Sequence, residues 1–519
     1  MTDWSLGYPV EIPYTIGYYR EISPSWLELC LTVSGRSTLI DQKRQSGEPL
    51  RYLEIACGQG LSVNINAATH QGEFWGNDFI PEHAFFGQNL ANASRANIRI
   101  SPDSINELMQ LKDLPNFDVI TFHGVWSWIK KETMQEIIQI LYDKLNAGGV
   151  VYASYNSNPG WSNSAPIRHL IDIHVRLNES NARNKIDKFR AGVELAKDLA
   201  ESGAAYFVQS PQAVERLKLL FKQDVNYLVH EYSTGEWNLL NFEEAHTDFS
   251  KAKLSFAISA SLASIYDSMV LSPKAKEILA KTQNVVVRET IHDYLHNTMF
   301  RKDIWVKGAV QVNLRQRNEL LMAKPYALVL HPDNVPKTMQ YQGAEITFHA
   351  DIYRPIIEFL ASNDFAPKTG NDVLKALPSH TPEQVLEALL ILCATGSAHP
   401  ARNPAEIAAS RETSHNLNRY ILAHSLNTNS INFIASPVIG SGVPIGRFQQ
   451  MFLLASTQGA KTAADMAKKA WQWLNDRNER LVKDDRALDT EAENIAELTL
   501  QAEDFVKTRL PILQSLQVI

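Results

Sequence analysis

The residues of this 519-residue chain best placed to do chemistry lie in Arg51-Tyr-Leu-Glu-Ile-Ala-Cys-Gly-Gln-Gly-Leu61. Tyr52, Leu53 and Ile55 suit a strand covered on both faces, interrupted by one carboxylate, Glu54. Gly58 and Gly60 then allow a tight turn and close backbone approach to a ligand. About twenty residues on, Glu73 to Asp78 reads as a second strand ending in a carboxylate. Dinucleotide-binding folds hydrogen-bond a ribose from that position, so Asp78 is the expected ribose ligand.

The glycine spacing departs from G-x-G-x-x-G, with Ala56 at the first position and no glycine at Ser62 or Val63. That argues against a long phosphate cradle. A cofactor without phosphates, such as S-adenosylmethionine, needs the close approach alone. Cys57, inside the turn, is read as a small side chain filling tight space rather than a reactive thiol.

Further elements must position these groups. Ile80 to Ala93 reads as a helix, and Asn97 to Ile100 as a short strand leading into Ser101-Pro-Asp-Ser-Ile105, where Asp103 could cap the next helix. Phe117 to Phe122 is a buried central strand. Its carboxyl end delivers His123-Gly-Val-Trp-Ser-Trp-Ile129 to the edge where ligands lie in open parallel sheets, so His123, Trp126 and Trp128 should face cofactor or substrate. Glu132 to Leu145 has helical periodicity, Asn146 to Gly149 is a helix stop, and Val150 to Tyr155 is a fifth strand bringing Tyr155-Asn-Ser-Asn-Pro-Gly-Trp161 to the same edge. Strands alternating with helices give a doubly wound α/β fold.

Leu53-Glu-Ile-Ala-Cys-Gly-Gln-Gly60 resembles the first motif of class I S-adenosylmethionine-dependent methyltransferases, with Ala56 for the commoner glycine, a change expected to cost little. The loop motifs from His123 and Tyr155, with His230-Glu-Tyr232 and Glu289-Thr-Ile-His-Asp-Tyr-Leu-His-Asn-Thr-Met-Phe-Arg-Lys-Asp-Ile-Trp305, resemble a narrower group that carries a methyltransferase regulatory domain. That group includes bacterial lysine methyltransferases acting on outer-membrane proteins. The resemblance covers roughly the first 310 residues. It implies a Rossmann-like sheet binding S-adenosylmethionine through Glu54, Ala56, Cys57, Gly58, Gly60, Asn77, Asp78, Asp103, Ser104, His123 and Gly124, with Asp103 on the adenine amino group. Pro13-Tyr-Thr-Ile-Gly-Tyr-Tyr19 resembles a segment lying over the cofactor, which adds Tyr14 and Tyr19. Tyrosine faces attract a sulfonium, and the same aromatics, with Tyr8 and Tyr18, would also pack a terminal arm.

Methyl transfer is an in-line displacement at carbon, so alignment and a water-poor pocket are what the protein must supply. A lysine amine at neutral pH is disfavoured by about 4–5 kcal/mol from its ordinary pKa. Aromatic walls from Tyr155, Trp126 and Trp128 would favour the neutral amine, oxygens at Tyr155 and Asn156 would orient it, and Trp161 joins Trp128 as a substrate contact. The leading function is a protein lysine methyltransferase. The alternatives are a small-molecule methyltransferase and a non-catalytic cofactor-binding interaction protein.

Ser23-Pro24 opens a helix. Four segments are expected: a methyltransferase core with an N-terminal lid over 1–162, a helical insertion and regulatory segment over 163–310 in which Phe300 to Lys307 supplies a last strand, a winged-helix-like α+β module over 311–400, and a mainly helical segment over 401–519. The module reads as strands at Pro325–Leu330 and Ala344–Phe348 followed by three helices. The insertion could hold a substrate or a second subunit.

A net charge of −7 and pI near 6.1 argue against a general nucleic-acid binder. No run of about 18 apolar residues and no apolar signal core occurs, so no membrane association is expected and the cytoplasm is the default. The cysteines Cys30, Cys57 and Cys393 form no metal-ligand spacing, and no metal or disulfide is expected.

Overall fold

The structure is a computed structural model describing residues 11–12, 14–177, 184–262, 265–341 and 344–519. Tyr8 and Pro13 of the N-terminal arm lie outside these. A seven-stranded sheet organises the chain: β1 (Leu50–Ile55), β2 (Gly72–Asn77), β3 (Ile98–Ser101), β4 (Phe117–Phe122), β5 (Leu145–Asn156), β6 (Ser255–Ser259) and β7 (Phe300–Val306). The spatial order is β3-β2-β1-β4-β5-β7-β6. The first five run parallel, and β7 inserts antiparallel between β5 and β6. β4 is buried at every position, as a strand with helices on both faces must be.

The expected fifth strand is the second half of β5, which already begins at Leu145. Gly148 belongs to it, donating its N–H to the Lys307 carbonyl at 2.8 Å. Phe300 to Lys307 does close the sheet, in seven-residue register from Val150↔Val306 to Asn156↔Phe300. Arg301, 4% exposed, fixes this strand. Its guanidinium meets Glu289 at 3.0 Å, Asp293 at 2.6 Å and Asp303 at 2.8 Å, and Asp303 accepts the Tyr155 hydroxyl of β5 at 2.6 Å.

Between β5 and β6 the insertion is helical as expected, with helices Ala165–Leu177, Lys185–Glu201, Ala205–Gln209, Pro211–Leu220 and Val225–Tyr232 sharing their own apolar cluster. Beyond β7 the two expected strands do not pair with each other. Ala344–Thr347 turns back onto Thr338–Tyr341, while Pro325–Leu328 is the centre of a separate sheet between Lys368–Thr369 and Ala398–Pro400. The three helices follow, at Ala350–Ala361, Gly370–Ala376 and Pro382–Ala394.

The last segment is mainly helical, and its Gly440 break is the turn of a hairpin, Phe433–Ser436 with Ser441–Pro444. Its long helix, Pro404–His424, packs on helices Leu61–Thr69 and Pro81–Ser94. Thr413 and Ser414 donate to the Ala68 carbonyl at 2.6 and 2.9 Å, and Arg402 donates to the Thr69 carbonyl. These bonds satisfy carbonyls that the helix after the glycine turn leaves open at its C-terminus. Among the described residues no helix is long and apolar enough to cross a membrane.

Removing one partner of a buried ion network leaves uncompensated charge. Arg301→Ala strands three carboxylates and is expected to cost about 3–5 kcal/mol, read as a lower urea midpoint for the whole chain. An unchanged midpoint would mean that the network does not anchor β7.

Candidate active site

Ala56, Gly58 and Gly60 all take left-handed conformations, with φ of 52°, 55° and 73°. Ala56 in that region costs about 1 kcal/mol relative to glycine, so the substitution is less neutral than the sequence suggested. A side chain on Gly60 would press on Gly87 Cα and Ile100 Cδ1, both at 3.1 Å, whereas the space beside Gly58 is open. The turn is held from β2: the Cys57 N–H donates to the Asn77 carbonyl at 2.8 Å, and the Ala56 N–H to Asn77 Oδ1 at 3.4 Å. Cys57 packs against Gly76, and burial pushes its thiol well above the ordinary range, as expected of a space-filling cysteine.

Asp78 does more than wait for a ribose. Its carboxylate accepts from the Gly58 N–H at 2.9 Å, from the Ile80 N–H at 3.1 Å and from His83 Nδ1 at 3.2 Å. A carboxylate offers about four acceptor positions, so one is left for a ligand hydroxyl while the others brace the turn. At the end of β3 the helix cap is Ser104, in a reciprocal box with Glu107, and not Asp103. Asp103 is tied only through its carbonyl, which accepts from Asn77 Nδ2 at 2.9 Å, and its carboxylate has no hydrogen-bond partner among the described residues.

Glu54 is 3% exposed, and its Oε2 has no hydrogen-bond partner among the described residues. Burial pushes its carboxyl up to about 8. An orphaned buried carboxylate beside an open glycine turn suits a cationic ligand group, and the amino and sulfonium groups of S-adenosylmethionine supply two.

The aromatic arm meets the end of β4. Tyr19 stacks on His123 with ring centroids 3.7 Å apart, and its N–H donates to Ser62 Oγ at 3.1 Å. Its hydroxyl is pushed up to about 12, first by burial and then by the negative charges of Glu54, Glu231 and Glu21. Tyr14 places its ring edge-on to His230 at 5.0 Å and its carbonyl on Gln59 of the glycine turn at 2.7 Å. His123 bonds the Tyr152 hydroxyl at 2.8 Å. Burial, with Lys302 nearby, pushes its imidazole down to about 3, so it is a neutral aromatic face and not a proton acceptor. The Gly124 N–H donates to Ser154 Oγ at 2.7 Å.

The arm is fixed from the far end of the chain. Tyr18 bonds Ser441 at 2.6 Å, Arg20 donates to the Cys393 and Ala394 carbonyls at 2.9 and 2.8 Å, and Ser23 donates to the Gly440 carbonyl at 2.7 Å instead of capping its own helix. Tyr19, between these ties, is set against His123 and the helix that follows the glycine turn.

Three expected substrate-side roles are corrected. Trp126 is fully buried, packed on Phe122 and Phe249 at 5.5 and 5.0 Å, and Tyr155 lies in the same cluster with its hydroxyl committed to Asp303. Neither is a pocket wall, because alternation along β5 sends Tyr152 and Ser154 toward His123 and Gly124 and Tyr155 to the opposite face. The Asn156 oxygen is taken by Trp161 Nε1 at 3.2 Å and its carbonyl by the Leu240 N–H at 3.1 Å. Both oxygens are engaged within the fold, and the buried Nδ2, a donor, has no hydrogen-bond partner among the described residues.

Trp128 and Trp161 are brought together through Trp237. Trp161 lies 5.2 Å from Trp237, and the Arg168 guanidinium lies 4.4 Å over Trp237 and 5.5 Å over Trp128. The wall they form adjoins Glu231, which the sequence motif contains but sequence reasoning did not single out. The Glu231 carbonyl accepts from Arg168 Nε at 2.9 Å. Burial raises its carboxyl to about 7 against the lowering influence of Arg168 and Arg216.

The strand order, the glycine turn and the carboxylates at three strand ends are those of the class I S-adenosylmethionine-dependent methyltransferase fold. Residues 224–307 match the family model of a predicted methyltransferase regulatory domain. An uncharacterized protein of Synechocystis sp., sll1526, is 32% identical over 519 residues, covering 99% of each chain. An uncharacterized protein of Rickettsia prowazekii, RP789, is 25% identical over 314 residues, 60% of this chain and 54% of that one. The structure of PKMT2 from Rickettsia typhi in complex with AdoHcy is similar with a TM-score of 0.70 and 19% identity, over 95% of this chain and 98% of that one. The chain belongs to the family of the Synechocystis protein, which it matches along its whole length.

If Glu54 meets a cation of the ligand, cofactor binding is expected to depend on pH. Below about pH 8 the free carboxyl is protonated, and pairing with a cation releases that proton, so affinity for S-adenosylmethionine rises toward about pH 8. In the free protein the same raised pKa means that stability falls as pH climbs from the ordinary carboxylate range toward about 8. Glu54→Gln is expected to flatten both dependences and to weaken binding by about tenfold or more, as read by calorimetric titration across pH. An unchanged affinity and profile would remove Glu54 from the site.

Proposed function

We propose that this chain is a protein lysine N-methyltransferase in which Glu231 takes the proton that the substrate amine must lose. One observation carries the reading. The half-buried Glu231 carboxyl, raised to about 7, lies within electrostatic reach of Tyr19 and of Arg168, whose guanidinium stands over Trp128 and Trp237. The fold likeness to PKMT2 from Rickettsia typhi, solved in complex with AdoHcy, supports a sheet built to hold this kind of ligand. S-adenosylmethionine, when bound, supplies an electrophilic methyl carbon on a sulfonium.

The residues of the chain do the rest. Glu54, Asp78 and Asp103 hold cationic and hydroxyl groups of that ligand, and the Tyr19–His123 pair closes over it with aromatic faces that favour a sulfonium. Glu231 accepts a proton from the lysine ammonium, and the wall around it excludes water. The amine lone pair then forms the new C–N bond as the C–S bond breaks, and the electron pair leaves with sulfur. Because Glu231 must be ionised to accept a proton, turnover rises as pH passes about 7.

Incubation with methyl-labelled S-adenosylmethionine and fractionated cell lysate is expected to label protein, with methylated lysines found after digestion. Glu231→Gln should lower turnover by about 10²-fold or more and abolish the inflection near pH 7, while cofactor affinity holds. Label confined to small molecules would overturn the protein-substrate reading. Full turnover and an unmoved pH profile in Glu231→Gln would remove Glu231 from the mechanism.

A further inference from the structure

The regulatory segment carries a second group of chemically capable side chains, separate from the glycine turn and the aromatic wall. His292 and His296 stand one helical turn apart on helix Val285–His296, so both imidazoles lie on one face. Their Nε2 atoms approach to 3.1 Å. Asp267, on the short helix Asp267–Val270, reaches the same point, with Oδ2 at 3.1 Å from His292 Nε2 and Oδ1 at 3.0 Å from His296 Nε2. One ligand atom from each residue lies within 4.8 Å of the others. The group is sheltered, with side-chain exposures of 16% for His292, 6% for His296 and 22% for Asp267.

Protons alone serve this arrangement poorly. If both Nε2 atoms carry hydrogen and donate to Asp267, two donors are pressed together at 3.1 Å. If one donates to the other, the acceptor ring turns its used lone pair toward the carboxylate. In either neutral arrangement one of the three contacts is repulsive, whereas a cation at the centre satisfies all three. The tautomer is also provided for, because the far nitrogen of His296, Nδ1, bonds the Tyr341 hydroxyl. A hydrogen bond to the non-ligating nitrogen is how metal-binding histidines are oriented.

We propose that Asp267, His292 and His296 bind a divalent transition metal, zinc in the first instance. Two imidazole nitrogens and one carboxylate oxygen are a borderline donor set suited to zinc and its first-row neighbours rather than to calcium or magnesium. Three protein ligands leave a coordination position open for water or an exogenous ligand. The expectation of no metal rested on the cysteines. The donors are instead a histidine pair whose third ligand lies 25 residues upstream on another element.

The metal would join three parts of the chain: the segment following β6, the helix preceding β7 and, through Tyr341, the hairpin Thr338–Tyr341 with Ala344–Thr347. The same helix supplies Glu289 and Asp293 to Arg301. Occupancy would therefore stiffen the support of the strand that borders β5.

The test uses the full chain, stripped with chelator and dialysed against zinc. About one zinc per chain is expected by elemental analysis, with a higher melting temperature than the stripped protein. Cobalt in its place should give visible ligand-field absorption. His292→Ala and Asp267→Asn should each lose the metal and the stabilisation, while their stripped forms melt where the stripped wild type does. No zinc above the buffer background, or equal zinc in both variants, would overturn the proposal.

Discussion

The antiparallel pairing of Phe300–Val306 with Leu145–Asn156 is the constraint on which the rest of the molecule depends. A parallel α/β sheet ending at β5 would expose a long apolar edge, and here that edge is closed by a strand almost 150 residues away in sequence. The segment matched by the regulatory-domain model, residues 224–307, therefore supplies the last two strands of the methyltransferase sheet. It also supplies Glu231 and the histidine pair. Arg301 explains why the pairing holds its register, since one guanidinium serves carboxylates from the adjacent helix and from its own strand, and Asp303 passes that order to Tyr155.

A second long-range tie governs the N-terminal arm. Tyr18, Arg20 and Ser23 are anchored to residues between Cys393 and Ser441, and the helix following the glycine turn has its last carbonyls satisfied by Arg402, Thr413 and Ser414. The later modules thus have a structural purpose in the site without lining it. They hold the arm so that Tyr19 stacks on His123, and they fix the helix that follows the glycine turn. Gly442 shows how closely the parts fit, since a Cβ there would lie 2.7 Å from the Tyr18 ring.

The glycine turn and its acids were legible in the sequence because their chemistry is local: a glycine pair after a strand, and carboxylates just past strand ends. The positions of Trp126 and Tyr155 are not legible for an equally physical reason. Strands buried on both faces lack the alternation that tells which way a side chain points, so aromatics near the ligand edge of β4 and β5 looked available when they were core. Asn156 was placed near the site, but only the indole of Trp161 decides which end of its amide is left over. Glu231 and Asp267 were illegible because their significance is made by elements distant in sequence, the N-terminal arm in one case and a helix in the other. The module after β7 failed similarly, since its central strand pairs with segments about forty and seventy residues further on.

Amide hydrogen exchange on the full chain tests the central claim most directly. If the regulatory segment completes the catalytic sheet, amides of Phe300–Val306 exchange as slowly as those of Leu50–Ile55 and Phe117–Phe122 and lose protection with them at the same denaturant concentration. Phe300–Val306 exchanging in a separate, earlier transition while the central strands stay protected would contradict it, and would make the regulatory segment an attachment to the sheet.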